Sequence, residues 1–211
     1  MTAQISDVVV YRSKPHSIAG INGARLFDPA SHGIRPVMIS TACWRGYHCT
    51  YEVAEDTLQL ATVNIGLGPD DQAAAERGEG PLLFGKSPKR YTIRGHSTNV
   101  RTGEVKTSWE SSDFRYDNLR AVVPFSGGLL LGHDFIQELY VHMGFHPAWK
   151  FRQVHEVLFE NGQVVKAADR SAEMAEFRAM VANRPLEPTN VENRVEIERW
   201  VERCFSLDYK W

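Results

Sequence analysis

The sequence has few cysteines, no excess of basic residues and no long apolar run. Its three cysteines, Cys43, Cys49 and Cys204, lack the spacing of a disulfide framework, and an odd number favours a reducing compartment. The N-terminus shows no basic segment followed by an apolar stretch, so we expect no signal peptide and a cytoplasmic location. The most apolar window, 121–132, is interrupted by Pro124 and is too short to span a bilayer.

The charge balance argues against nucleic acid as a partner, whereas the case against a membrane partner rests on the lack of a long apolar run. The 211 residues include 24 Lys and Arg and 26 Asp and Glu, for a net charge of −2. Proteins that hold nucleic acid by its phosphates usually show a basic excess or a basic face. The densest basic stretch is typical of a solvated edge; it comprises Lys86, Lys89, Arg90 and Arg94. A nucleic-acid accessory protein using this stretch is therefore the weakest of three functional hypotheses.

Apolar patterning predicts β-strands over the first two thirds of the chain. Residues 8–11 are β-branched or aromatic, and a loop rich in Gly, Asn, Asp and Pro is predicted from His16 to about Gly33. Apolar and polar residues alternate from 47 to 53 and again from 58 to 60. This period of two predicts an antiparallel hairpin with one buried face.

Two later segments carry hairpin signals. Residues 119–124 and 129–131 flank Ser126-Gly127-Gly128, which predicts a turn between two paired strands. Asn161-Gly162 lies between two apolar strands, and this dipeptide is the strongest short-range hairpin signal. Residues 68–80 are polar and rich in alanine, which is typical of a short helix or a loop.

After position 169 the apolar period changes to that of a helix. Two stripes follow, Met174, Phe177, Met180 and Val181, and then Ile197, Trp200, Val201 and Cys204. About 40 residues make a poor core alone, so we expect both helices to pack on the sheet. The sequence therefore predicts one α+β domain over 1–211. Its mainly antiparallel curled sheet, a barrel or half-barrel, spans about 5–168, and its helical tail spans about 170–205.

Histidines form the first group of candidate functional residues. His142 and His146 are four apart and share a face on a helix or a strand, with His133 and Asp134 upstream. Imidazole and carboxylate groups so placed can bind zinc, iron or nickel. The ligand set is incomplete, however, and the residues at 144 and 147 disfavour a continuous helix. We predict no cofactor, with a transition metal at His133, His142 and His146 as the alternative.

A second candidate group lies at the start of a predicted strand. Arg45 can pair with a carboxylate or an anionic ligand, and the following glycine permits a close approach of the backbone. An ordinary strand start is the competing interpretation. We select five candidate ligand-binding residues, Trp44, Arg45, His133, Asp134 and His142.

Three blocks of the sequence resemble a known family. They read TACWRGY at 41–47, YVHMGF at 140–145 and FENGQ at 159–163. Such blocks are similar to those of a widespread bacterial family of uncharacterised proteins, over roughly residues 37–171. The resemblance implies a small, single-domain bacterial protein and implies no activity.

Two further functional hypotheses remain open. The first is a non-enzymatic bacterial binding protein, immunity-like or regulatory, that binds a protein partner or a small ligand on the concave face of its sheet. It rests on the incomplete catalytic patterns and the near-neutral charge. The alternative is an enzyme or a metal- or small-ligand-binding protein with a histidine-rich pocket. In that pocket a histidine serves as a base or metal ligand and Arg45 holds an anionic group; its residues are Arg45, His133, Asp134, His142 and His146.

Overall fold

The computed structural model describes residues 3–98, 105–142, 144–183 and 205–209. Within these ranges the chain forms strands, two α-helices and short 3₁₀ segments. In chain order the strands and α-helices are β1 (Val8–Tyr11), β2 (Lys14–Gly23), β3 (Tyr47–Ala54), β4 (Thr57–Ile65), α1 (Pro69–Glu76), β5 (Lys89–Thr98), β6 (Val105–Tyr116), β7 (Ala121–Val122), β8 (Gly127–Phe135), β9 (Phe151–Glu160), β10 (Gln163–Asp169) and α2 (Ser171–Asn183). The 3₁₀ segments are Pro29–His32, Gln137–Leu139 and Ala148–Lys150.

The chain divides into two compact units. The first unit comprises residues 1–27, 50–60 and 120–211, and the second comprises residues 28–49 and 61–119. β3 and β4 each contribute residues to both units. The expectation of a single domain over 1–211 stays a prediction.

The strands of the first unit pair in a ring. Their order is β10-β9-β8-β2-β1-β3-β4, and β10 also pairs with β4. β1 and β3 run parallel, whereas β2, β8, β9 and β10 follow one another in antiparallel pairs. The mainly antiparallel curled sheet with helices confirms the α+β prediction.

Two tight turns close this ring. Glu55 and Asp56, between β3 and β4, have φ values of 48° and 58°, and Asn161 and Gly162, between β9 and β10, have 47° and 83°. Positive φ at both central residues matches the right-handed twist of a hairpin, which is why Asn-Gly is favoured there. The two turns bond to each other through the amide of residue 58 and the Gly162 carbonyl, 2.8 Å apart, and the amide of residue 164 and the Asp56 carbonyl, also 2.8 Å apart. Both predicted hairpins are confirmed.

α2 covers one face of β8 and β9. The apolar stripe predicted for this helix is confirmed at Met174 and Phe177, which are buried in one cluster with Leu130 and Val154, and at Met180, which is partly buried against that cluster. The side chain of Val181 lies outside the described residues. Arg178 donates two hydrogen bonds to backbone carbonyls, of residue 149 at 2.9 Å and residue 151 at 2.8 Å. The second predicted helix, with its stripe from 197 to 204, lies outside the described residues. No helix in the described ranges is long and apolar enough to cross a membrane.

The second unit is built on β6. β6 pairs with β5 and with residues 63–65 of β4, in both cases antiparallel. Tyr116 is fully buried at the end of β6 and donates a hydrogen bond to the Pro81 carbonyl at 2.8 Å. Arg90 of the basic stretch forms an ion pair with Glu76 of α1. The segment predicted as a short helix or a loop is thus a helix held against β5.

Two local predictions are wrong. Residues 119–124 and 129–131 do not form a hairpin, because β7 pairs with β4 and β8 pairs with β2 and β9. The segment between β7 and β8 bonds instead to the turn between β9 and β10. There the Phe125 carbonyl accepts from the Gly162 amide at 2.7 Å, and the Ser126 hydroxyl from the Asn161 amide at 2.8 Å. The loop predicted from His16 to about Gly33 is wrong over 16–23, because β2 continues to residue 23, and holds from there on, apart from the 3₁₀ segment Pro29–His32.

Candidate functional site

The structure places the first candidate group in the second unit. Trp44 is exposed in the turn before β3. Arg45 donates a hydrogen bond from Nε to the Tyr47 carbonyl at 2.6 Å, and its guanidinium lies 4.8 Å from the centre of the Tyr47 ring. These contacts hold Arg45, which lies in the turn, against the first residue of the following strand, β3. A ligand-binding role for Trp44 and Arg45 stays a prediction.

Two of the candidate histidines lie in the loop after β8. The Tyr140 hydroxyl and His142 Nδ1 are 3.0 Å apart. His146 packs its ring 4.7 Å from that of Phe135 and 5.3 Å from that of Tyr140. Within the described ranges, its Nδ1 is buried without a hydrogen-bond partner. These side chains form an aromatic group on the surface of the first unit.

His133 belongs to a different group, which we call the histidine cluster: Tyr11, His16, His133 and His155. The His16 ring lies 5.2 Å from that of His133, 5.6 Å from that of His155 and 6.0 Å from that of Tyr11. Tyr11 and His155 are 5.5 Å apart. The neighbouring Asp134 has its described contact outside this cluster. Its carboxylate lies 3.5 Å from the guanidinium of Arg152, an exposed arginine on β9.

Strand register explains why these four side chains meet. Val9 of β1 is the direct partner of His16 on β2, and Tyr11 lies two residues beyond Val9 on the same face. His16 and His133 are the next residues along from the Ser17–Gly132 pair, so they lie side by side on neighbouring strands. Leu131 is the direct partner of His155 on β9. The cluster therefore occupies one face of four consecutive strands, β1, β2, β8 and β9.

Backbone carbonyls set the tautomers of two imidazoles. His16 Nδ1 lies 2.8 Å from the Lys14 carbonyl, and His133 Nδ1 lies 2.8 Å from the Pro15 carbonyl. A carbonyl oxygen only accepts, so Nδ1 carries the proton in both rings. When these rings are neutral, each Nε2 holds a lone pair that can accept a hydrogen bond or bind a metal.

The surroundings favour neutral imidazoles. Burial lowers the pKa of His16 below its usual value. The hydrogen bond to the Lys14 carbonyl raises the pKa, but the positive charges of His155, His133 and Lys14 lower it further. His16 is buried, with 2% of its surface exposed, so the charged ring would be poorly solvated.

His155 lies between opposing charges. Burial lowers its pKa below the usual value, the carboxylate of Asp169 raises it, and the cations of Arg12 and Lys14 lower it again. The net result is a lowered pKa. Two cationic side chains therefore lie near two imidazoles that are neutral at neutral pH.

We expect the free energy of unfolding to fall as the pH drops below about 6.5, the usual imidazole pKa. The unfolded chain then takes up protons that the folded chain excludes from His16, His155 and also His146, whose pKa burial lowers first and the Lys150 cation second. His16→Phe should therefore lose less stability than the wild type between about pH 7 and about pH 5. Urea unfolding at a series of pH values measures this difference. An unchanged slope in His16→Phe would contradict the expectation.

The arrangement can accept hydrogen bonds and attract anions. Nε2 of His16 and of His133 supply acceptors, and Arg12 and Lys14 supply positive charge. In the described part of the chain, no group of three or more His, Cys, Asp or Glu side chains is arranged to hold a metal ion. Metal binding by His133, His142 and His146 stays a prediction; the structure places the first in the histidine cluster and the other two in the aromatic group.

Tyr11, His16 and His155 are not among the site residues predicted from the sequence. The turn between β1 and β2 explains the omission. Arg12 and Ser13 form it with φ values of 50° and 62°, conformations that Gly, Asn and Asp favour. Without a turn dipeptide, β2 resembles a loop. The alternation of His16 and Ile18 with a small polar residue is a sequence pattern that indicates this strand.

Comparisons of the chain with known proteins found no match. No family model, curated protein or solved structure matches the chain. The resemblance of the blocks at 41–47, 140–145 and 159–163 to an uncharacterised bacterial family therefore stays a prediction.

Proposed function

We propose that this protein is a non-enzymatic binding protein for a small anionic ligand, held at the histidine cluster. The observation that carries the proposal is the meeting of three imidazoles from three neighbouring strands, with ring centres 5.2 Å and 5.6 Å from that of His16. The carbonyls of Lys14 and Pro15 accept the Nδ1 protons of His16 and His133, so each neutral ring keeps its Nε2 lone pair as an acceptor.

Charge and hydrogen bonding together define the ligand class. Arg12 and Lys14 favour a carboxylate or phosphate, because both side chains are cationic and lie near His155. The lone pairs on Nε2 of His16 and His133 favour a hydroxyl or N–H donor on the same ligand. A short hydroxy acid combines both features. The proposed site differs from the histidine-rich pocket predicted from the sequence. His133 is the one residue that belongs to both.

A matched pair of ligands tests the proposal. Glycolate and acetate carry the same carboxylate, and only glycolate has a hydroxyl that can donate to Nε2. Titration of each into the full chain at neutral pH, followed by NMR of the imidazole nitrogens, should show saturable shifts at His16, His133 and His155. Glycolate should bind about tenfold more tightly than acetate, as expected for one additional neutral hydrogen bond.

Two variants sharpen this test. Lys14→Ala should weaken both ligands alike, because it removes charge, whereas His133→Gln should reduce the preference for glycolate. His142→Gln is the matched control in the aromatic group and should bind like the wild type. If neither ligand shifts the cluster resonances, or if His142→Gln lowers the affinity as much as His133→Gln, the proposal fails.

Protein binding stays a second candidate function. Three exposed apolar side chains of one loop favour it: Tyr140, Val141 and Phe145, each close to half exposed. Exposed aromatic residues that lie close together are enriched at protein interfaces.

A further inference from the structure

The C-terminal segment, residues 205–209, lies on the face of β8 and β9 opposite the histidine cluster. Successive strand residues point to opposite faces, so Glu156 faces this segment while His155 faces the cluster. Phe205 and Tyr209 are buried together against Leu130 and the residues of α2, with their rings 5.6 Å apart. The segment therefore occupies a groove whose floor is the sheet and whose wall is α2.

The carboxylate of Glu156 accepts hydrogen bonds from the polar groups of this segment. Its side chain is 1% exposed. One carboxylate oxygen accepts from the Ser206 amide at 2.7 Å and the Tyr209 hydroxyl at 2.9 Å, and the other accepts from the Ser206 hydroxyl at 3.0 Å. Arg170 holds that second oxygen with two N–H groups, at 2.7 Å and 2.9 Å. Two of the three hydrogen bonds from the segment to Glu156 thus come from side-chain hydroxyls, of Ser206 and Tyr209, and the third comes from a backbone amide.

The floor of the groove leaves room for the tyrosine ring at Gly128. A Cβ added at Gly128 would lie 3.0 Å from the ring carbon Cζ of Tyr209 and closer still to its hydroxyl oxygen. Asn22 donates from its side-chain amide to the backbone carbonyl of Asp208. One glycine and one amide side chain therefore complement the parts of the segment that Glu156 does not contact.

We propose that this groove is a peptide-binding site specific for a Phe-Ser-x-x-Tyr segment, and that its partner is the C-terminal segment of a second copy of this chain. In the structure the groove holds the chain's own segment, which identifies the sequence that fits it. Residues 184–204 separate the segment from α2, and the full contour of that stretch is about 70 Å. That length is sufficient for the segment of one copy to reach the groove of another.

The first test supplies the segment as a peptide. A fluorescein-labelled peptide of residues 205–211 is titrated into the full-length wild type and into Tyr209→Ala, whose own segment has lost a donor and a ring. Fluorescence anisotropy should show at least about tenfold tighter binding to Tyr209→Ala, because the resident segment competes in the wild type. A control peptide with Ala for Ser206 and Phe for Tyr209 should bind at least about tenfold more weakly. Equal binding of the two peptides, or no binding, would overturn the proposal.

A second measurement covers the case in which Tyr209→Ala fails to fold. Saturating peptide added to the wild type should displace the resident segment and accelerate hydrogen exchange of the Ser206 amide, which Glu156 otherwise protects. An unchanged exchange rate would identify the contact as fixed intramolecular packing.

A mixing experiment tests the second copy as the partner. Glu156→Gln has an impaired groove and an intact segment, whereas Tyr209→Ala has an intact groove and an impaired segment. Native mass spectrometry of the mixture should show a heterodimer in excess of either homodimer. If the mixture stays monomeric, a second copy is excluded as the partner.

Discussion

Glu156→Ala should lower the free energy of unfolding by about 3–5 kcal/mol, the range seen when one partner of a buried ion pair is removed. Among the residues that the structure describes, the substitution leaves Arg170, whose side chain is 19% exposed, with Glu173 as its one carboxylate partner, at 3.1 Å. It also removes the acceptor for the Ser206 amide and the Tyr209 hydroxyl. The measurement is urea unfolding at neutral pH.

The pKa of Glu156 gives this prediction a pH dependence. Burial alone would raise the pKa, but hydrogen bonds from Arg170, Ser206 and Tyr209 outweigh it and hold the pKa below its usual value. The stability due to the carboxylate is therefore fully present above the usual glutamate pKa and is lost as the pH falls through the lowered one. The difference between wild type and Glu156→Ala should narrow at acid pH.

Glu160→Ala is the matched control for Glu156, because Glu160 is an exposed glutamate at the end of the same strand. It should change the free energy of unfolding by less than about 0.5 kcal/mol. A loss below about 1 kcal/mol in Glu156→Ala would show that the desolvation of the charged pair cancels its hydrogen bonds.

Leu131→Ala should cost about 2–5 kcal/mol, the range for truncating a fully buried leucine. Leu131 is 0% exposed and pairs with Ile18 on one side and His155 on the other. It therefore lies on the same face of the sheet as the histidine cluster, directly beside His155, and the alanine leaves a cavity there. The same unfolding measurement gives the loss, and NMR of the imidazole nitrogens shows whether the neighbouring rings lose their fixed orientation.

Two comparisons calibrate the Leu131 result. Leu131→Met keeps most of the volume and should cost less than about 1.5 kcal/mol. Val165→Ala removes apolar atoms from a half-exposed side chain of the same unit and should be nearly neutral. A Leu131→Ala loss no larger than that of Val165→Ala would contradict the buried position of the leucine.

The parts of the fold that the sequence predicts correctly are those with local signals. The Asn161-Gly162 turn needs positive φ at both residues, and the sequence supplies the two residue types that adopt it most readily. The stripe containing Met174 and Phe177 has the period of a helix and becomes α2. In both cases the information lies within a few consecutive residues.

The histidine cluster depends on long-range register, which one sequence does not display. His16, His133 and His155 meet because β2 pairs with β8 and β8 with β9. The turn at Arg12–Ser13 lacks its usual residue types, so even the strand that carries His16 was predicted as a loop. Spacing therefore favoured His142 and His146, which are close in sequence and belong to the separate aromatic group.

The closure between β4 and β10 joins residues far apart in the chain by very few contacts. Thr57 and Gln163 are 106 positions apart and form the one residue pair that the two strands share in the described ranges. Contacts between residues so far apart in sequence slow folding, because the entropy of closing the loop is lost before the contact repays it. We therefore expect the pairing of the two turns that close the ring to form late in folding, and we expect amide hydrogen exchange to find it among the first parts of the sheet to open.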